Sequence, residues 1–442
     1  MGTKELPPIV KESFDRTAAF EAKRPSLDAP DDELLAYLYS FPKAFEPVFG
    51  NHMKSTAIAA IVSGVLADAC AAAGEPGLVT HLTGAAGDVR SAQYSQDLYA
   101  IAKLVNASPD ATEAFEAGVD DGLADRLGTL DDTSAGIGFA RFIAEHGQRG
   151  PNDWEVSSRT WDKTPSLALM AIDRMRLAEH DLAPSTRLGD DSSKREAAAA
   201  KVKPHLKFMD KMNFDKAIKA APFWAQAREA TRDRAVRIML PVKQVYCELV
   251  RRGAQRGGET DPVKVALLSP YDELPAYLAD PSSMAATITE RSALHSRFSA
   301  VEPKFFISSQ SDVPDLEELE AIAADQGAFS NLAAGDTLKG NAGCSGIASG
   351  RARVILDPAD AMDLLPGEVL IAPLTDPSWT PLFLPAAAVV VNVGALMSHA
   401  VIVSRELGIP CVVAVESATD RIETGMLVEV DGTAGTVKIL ET

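Results

Sequence analysis

The sequence predicts a multidomain chain, with a mostly α-helical region followed by a small α/β (β/β/α) domain. Three observations predict it. Before residue 310, apolar residues recur at helical spacing, as in Ala57, Ala60, Ile61, Val65 and Leu66. After Gly340 the pattern changes to short β-branched runs bounded by glycine and proline, such as 386–391. Between them, Gln326 to Asn341 is rich in glycine, alanine and polar residues, the composition of a linker. The expected divisions are a helical unit over 1–310, with 1–30 as an arm lying on the rest, a linker or hinge over 311–339, and a second unit over 340–442.

Met1 to Pro30 shows little periodicity. Asp31 to Tyr39 and His52 to Ala73 read as two helices, the second ended by Gly74 and Pro76. A glycine-containing loop, Gly84 to Asp88, precedes a helix that carries Leu98, Ile101 and Leu104. Arg90 and Gln93 stand at that loop–helix junction, where they either face a ligand or cap the surface. Phe139 to His146 ends a further helix and runs into His146-Gly147-Gln148-Arg149-Gly150-Pro151-Asn152-Asp153-Trp154-Glu155. A histidine, an arginine, carboxylates and a tryptophan in a loop with two glycines and a proline suit a binding site. The alternative is a rigid turn plugged into the core by Trp154. Arg187 to Lys203 suits an exposed helix, and a long helix begins at Trp224. Arg228 and Arg232 are four apart and share a helical face. They either clamp a phosphate or pair with acids such as Glu229 and Asp233. Further helices are expected within 263–278, 283–298 and 314–325.

In the last unit, Ala386 to Val391 reads as a buried strand, followed by a turn containing Gly394. Ser398 takes an N-cap position and a helix starts at His399. Arg405 falls in its last turn, Gly408 in a left-handed cap, and Pro410 forbids continuation. A first-turn histidine lies beside unpaired N–H groups and a positive dipole end, which suit a dianionic phosphoryl group. Neutral imidazole is also a competent nucleophile. The alternative is an ordinary first-turn residue.

The 442 residues allow two or three domains. A formal net charge of -19 argues against nucleic-acid binding, which needs basic surface. No apolar run is expected to span a membrane, and the opening stretch is charged and proline-punctuated, so a cytoplasmic location is expected. Cys70, Cys247, Cys344 and Cys411 are widely separated, which suits free thiols and offers no metal-binding spacing.

Four ordered segments resemble the phosphohistidine swivelling domain of the phosphoenolpyruvate synthase and pyruvate phosphate dikinase superfamily. They are Gly343 to Val354, Thr375 to Pro381, Gly394 to Pro410 and Val428 to Val437. The resemblance implies that His399 is the phosphorylated residue and that Gly394, Ser398, Thr375 and Arg405 support its loop. Ala395 and Ser404 depart from the family's common glycine and alanine. The helical region is similar to the substrate domain of rifampin phosphotransferase, through His146 to Pro151 with Glu155 and through Arg228 to Arg232.

No ATP-grasp phosphate loop or phosphoenolpyruvate-binding barrel is seen in the sequence. The resemblance therefore implies one subunit of a split system, as in phenylphosphate synthase and hydroxyacetophenone-phosphorylating enzymes. An ATP-grasp partner would use ATP and Mg²⁺ to phosphorylate His399, and this chain would bind no cofactor or metal alone. A phenolic hydroxyl would then take the phosphoryl group. Arg228 and Arg232 would neutralise charge, and His146 or Glu155 would deprotonate or orient the hydroxyl. Arg149 would hold the loop or the phosphate, while Trp154, Arg90 and Gln93 would contact substrate. An antibiotic hydroxyl as acceptor, or a carrier with no acceptor, are the alternatives.

Overall fold

The computed structural model describes residues 7–83, 90–150, 152–177, 191–301, 309, 313–325, 332–357, 364–376, 379–395 and 398–442. The expected loop at Gly84 to Asp88, residues 187–190 of the expected charged helix, residues 326–331 of the expected hinge and the side chain of Arg90 lie outside them.

The first unit is helical, as expected. Its opening holds α1 (Pro8–Glu21), which buries Val10, Ser13, Thr17 and Phe20. The two helices expected over 31–73 are one continuous helix, α2 (Asp31–Ala72), which carries Pro42 and Pro47 inside it. Proline removes a backbone donor and crowds the preceding turn, so such a helix survives only where packing compensates. That packing comes from α6 (Phe208–Arg237), which also begins well before the expected Trp224. The two run antiparallel. Leu34 and Leu35 share a core with Ala235 and Ile238, while Leu66, Ala69 and Cys70 share one with Phe214, Ala217 and Ala221. Contrary to the sequence expectation, α2 is long and apolar enough to match a membrane span by length and composition. It nonetheless buries Asn51, His52 and Ser55, and Ser55 bonds Thr231 of α6, so the face toward α6 is a protein interior.

Between α2 and α6 come α3 (Arg90–Ala107), α4 (Ser134–His146) and α5 (Ser166–Leu177), which share one apolar core. A break at Ile238 and Met239 separates α6 from α7 (Leu240–Gln255), so two helices stand where the long helix from Trp224 was expected.

The second unit is an eight-stranded mixed sheet in the order β1-β8-β7-β3-β4-β5-β6-β2. Its strands are β1 (Thr337–Lys339), β2 (Asn341–Cys344), β3 (Ile347–Val354), β4 (Val369–Ala372), β5 (Ala388–Val391), β6 (Cys411–Val413), β7 (Leu427–Asp431) and β8 (Thr436–Glu441). β1 pairs with β8, so the sheet already begins inside the stretch expected to be hinge. β3 to β6 are parallel neighbours, and β4, β5 and β6 are buried throughout, which explains their unbroken apolar sequences. Two short crossings matter for function: α8 (Thr380–Phe383) between β4 and β5, and α9 (His399–Leu407) between β5 and β6. Both pack on α3 of the helical unit. The cores of the two units are continuous there, with Tyr94 and Trp161 in the same cluster as Leu370, Val389 and Val401.

Candidate functional site

α9 forms as the sequence predicts. Gly408 closes it with φ 66° and ψ 31°, the left-handed cap glycine adopts freely, and Arg405 lies in its last turn. Ser398 occupies the N-cap backbone position but makes no side-chain cap bond. Its Oγ is buried with no hydrogen-bond partner among the described residues. Gly394 packs beside it: a Cβ there would stand 3.2 Å from that oxygen and 2.8 Å from the Val413 Cβ.

His399 projects from the first turn of α9 toward the helical unit. Its Nδ1 lies 3.0 Å from Thr375 Oγ1 and its Nε2 lies 3.0 Å from Thr380 Oγ1. The Phe383 ring meets it edge-on at 5.7 Å. Enclosure, then the guanidinium groups of Arg232, Arg149 and Arg228, hold its pKa well below the usual 6.5. The ring is therefore neutral at pH 7, with one nitrogen donating and the other keeping a lone pair. Three arginines from the helical unit thus act electrostatically on the histidine of the second unit.

Each arginine is held differently. Arg228 pairs with Glu229, and Arg232 approaches Asp153 at 3.5 Å and lies over the Trp154 ring at 5.9 Å. Arg149 is 2% exposed and bonds Asp153 at 2.7 Å, Asp233 at 3.0 Å and the Tyr94 hydroxyl at 2.7 Å. Two buried carboxylates neutralise it, so of its two expected duties the contacts match holding the loop. Arg228 and Arg232 are each only partly buried; they pair with neighbouring acids, the second of the two sequence alternatives, and their charges also disfavour a protonated His399.

Trp154 is not a core plug. It is 39% exposed and forms an edge-to-face cluster with Phe45 and Phe49 of α2. His146 is 1% exposed, with Nε2 3.0 Å from Asp97 Oδ2 and its ring against Tyr94 and Phe142. That enclosure disfavours it as a base for an incoming hydroxyl. Glu155 accepts from the backbone N–H and hydroxyl of Ser157, at 3.1 and 3.0 Å, and shapes the loop. Gln93 is half-buried on α3.

Thr380, Asp153, Asp233 and Tyr94 were missed as site residues. Thr380 lies five residues beyond Thr375 within a quoted motif, and Asp153 lies in the quoted loop, so both were within reach.

Two polar contacts join the units beside the site. The Asn152 N–H donates to Asp376 Oδ2 at 3.3 Å, and Arg405 donates to Thr83 Oγ1 at 3.2 Å while also reaching the Gly343 carbonyl at 3.0 Å. The loop that presents Asn152 depends on Gly150, where a Cβ would fall 2.1 Å from the Arg159 carbonyl oxygen. Gly150→Ala is therefore expected to cost about 1–3 kcal/mol in denaturant unfolding, because neither backbone segment can yield cheaply.

Comparison with known proteins gives two domain matches. Residues 51–231 match the rifampicin phosphotransferase fourth domain, and residues 364–435 match the mobile domain of PEP-utilising enzymes. The chain therefore combines, in this order, a match to a phosphotransferase substrate-side domain and a match to a PEP-utilising mobile domain. Within it the mobile domain carries His399 and the fourth-domain match carries Arg149 and Arg228. The prodigiosin synthesizing transferase PigC of Serratia marcescens is 29% identical over 373 residues, 82% of this chain and 40% of that protein. The rifampicin phosphotransferase of Streptomyces sviceus is 51% identical over 96 residues, 22% of this chain and 11% of that protein. That of Bacillus subtilis is 48% identical over 95 residues, 22% of this chain and 11% of that protein. The chain thus spans less than half the length of the curated relatives it matches.

Proposed function

We propose that this chain performs the delivery half of a dikinase-type phosphotransfer. An ATP-grasp unit working on ATP and Mg²⁺ donates the β-phosphoryl group of ATP to His399: the imidazole lone pair forms the P–N bond, the P–O bond to AMP breaks, and water cleaves off the γ-phosphate, so that AMP and phosphate leave. An acceptor hydroxyl then attacks phosphorus in line. The P–O bond forms, the P–N bond breaks, its electron pair returns to the imidazole, and the hydroxyl proton passes to solvent or a nearby base. Transfer of this kind is mostly positioning and electrostatics. In this reading Arg228 and Arg232 stabilise charge on the moving group, and the buried Ser398 hydroxyl donates to it.

The observation that carries the reading is a neutral His399 at a helix N-terminus, whose two ring nitrogens both meet threonine hydroxyls and whose charged form is disfavoured by Arg232, Arg149 and Arg228 of the helical unit. A carrier without an acceptor site has no use for those cations. For the acceptor, the partly exposed cluster of Trp154, Phe45 and Phe49 beside Arg232 supports an aromatic molecule. The rifampicin phosphotransferase matches favour an antibiotic-type hydroxyl over a small phenol such as 4-hydroxyacetophenone. Product formation from rifampicin and from 4-hydroxyacetophenone by the reconstituted system decides between them.

Arg228→Ala is expected to leave phosphorylation of His399 intact and to slow delivery on the order of 10²–10³-fold, the cost of removing a preorganised charge-stabilising group. Single-turnover chase of phosphorylated chain separates the two steps. Unchanged delivery would overturn the clamp assignment.

A further inference from the structure

We propose that Lys243 and Ser158 are positioning residues of the contact through which the helical unit receives the second unit: together they hold Asn152 in the conformation that docks Asp376, beside His399. What that docking serves rests on the delivery reading given above.

Lys243 stands on α7 and is 3% exposed. A lysine so enclosed is rare unless paired, because its ammonium has been taken from water. Its Nζ donates to Ser158 Oγ at 2.9 Å. Ser158 Oγ donates in turn to the Asn152 carbonyl at 3.0 Å, and the same carbonyl accepts from the Glu155 N–H at 3.1 Å. The Asn152 N–H then donates to Asp376 Oδ2 of the second unit at 3.3 Å. Asp376 adjoins Thr375, whose hydroxyl lies 3.0 Å from His399 Nδ1. A series of hydrogen bonds therefore runs from the interior of the helical unit, through Asn152, to the loop that meets His399.

The bland account of Lys243 is that it balances Asp153, Glu155 and Asp162, the carboxylates that act on it. Charge balance explains a cation there. It does not explain an ammonium aimed at a hydroxyl whose other bond is to Asn152. The conformation of Asn152 does. Its φ is 53°, in the left-handed region that few residues other than glycine adopt. Asparagine enters that region more readily than most, but still at a cost, so the conformation needs support. The two bonds on its carbonyl supply it. With φ relaxed to a negative value, the carbonyl and the N–H could not both keep their partners, and the bond to Asp376 would be lost. Neither Lys243 nor Ser158 meets His399; both act through Asn152.

The test is hydrogen–deuterium exchange of the full chain, read by mass spectrometry over 149–158 and over α9, which packs on α3 and shares a core with the helical unit. Asp376→Ala removes the acceptor and is expected to speed exchange in both segments about tenfold, the worth of one hydrogen bond to a charged group. Ser158→Ala and Lys243→Met, both in the helical unit, are expected to do the same to α9. β7 and β8, whose core is built from second-unit residues, are expected to exchange as in wild type. Ser158→Thr, which keeps the hydroxyl, is expected to match wild type throughout. The double variant of Ser158→Ala and Lys243→Met is expected to be no faster than Lys243→Met alone, since both changes break one series; additive effects would overturn the inference. Should Lys243→Met fail to fold, Ser158→Ala carries the test. Exchange of α9 in Ser158→Ala equal to wild type overturns the inference and leaves the delivery reading standing. Faster exchange there, in a chain whose phosphorylated form passes nothing to an acceptor, supports the docking contact and overturns the delivery reading.

Discussion

His399→Ala is expected to abolish both acid-labile phosphorylation of the chain and transfer to any acceptor. No other imidazole among the described residues combines a helix N-terminus with the three arginines that act on His399. His52 lies in the interior of α2, far from a helix N-terminus, and His146 is enclosed by Asp97, Tyr94 and Phe142. The same electrostatics set the pH dependence. The folded pKa of His399 is well below 6.5, so the lone pair needed for attack is present at pH 6.5 and is lost only as pH falls well beneath it. The rate of His399 phosphorylation is expected to stay flat from pH 8 to pH 6.5, where an unperturbed histidine would have lost half its nucleophile. A half-maximal point near 6.5, followed by mass spectrometry at fixed donor concentration, would mean that the arginines do not act on the ring as described.

Arg149→Leu is expected to have the largest effect on stability. Arg149, Asp153 and Asp233 are all nearly inaccessible to water, and Arg149 bonds both carboxylates and the Tyr94 hydroxyl. Its removal leaves Asp153 without its closest cation, since Arg232 approaches only to 3.5 Å, and Asp233 dependent on Arg234. Breaking a buried pair in this way costs about 3–5 kcal/mol, because the remaining charge has been taken from water without compensation. That is a large part of the stability of an ordinary domain. Arg149→Lys is not expected to rescue it, since an ammonium cannot serve two carboxylates and a phenol from one planar fork. Denaturant unfolding of the three proteins checks both statements. A loss below about 1 kcal/mol for Arg149→Leu would show that the network contributes little.

The C-terminal unit was largely legible because its signals are local. The β-branched run, the glycine turn, the first-turn histidine and the left-handed Gly408 all lie within one strand–turn–helix stretch, and each formed where the residues placed it. The Ser398 cap was only half legible, because the backbone took the position while the hydroxyl turned to a buried place beside Gly394. In the helical unit, local signals misled where packing overrode them. Prolines argue for a break in α2, yet 42 residues run unbroken because α6 covers them. The break at Ile238 and Met239, by contrast, falls within a smooth apolar series that gives no sign of it.

Site residues followed the same rule. The His146 to Glu155 loop and the Arg228–Arg232 pair were visible as clusters of functional groups. Their division of labour was not, because it depends on contacts between residues far apart in sequence, such as Arg149 with Asp233 and Arg232 with Asp153.

The most direct measurement is the intact mass of the chain after incubation with ATP and its ATP-grasp unit, for wild type and His399→Ala in parallel. A single acid-labile phosphoryl gain in wild type, absent from His399→Ala and discharged when an aromatic hydroxyl acceptor is added, is the predicted result. A phosphoryl gain that persists in His399→Ala would contradict the account.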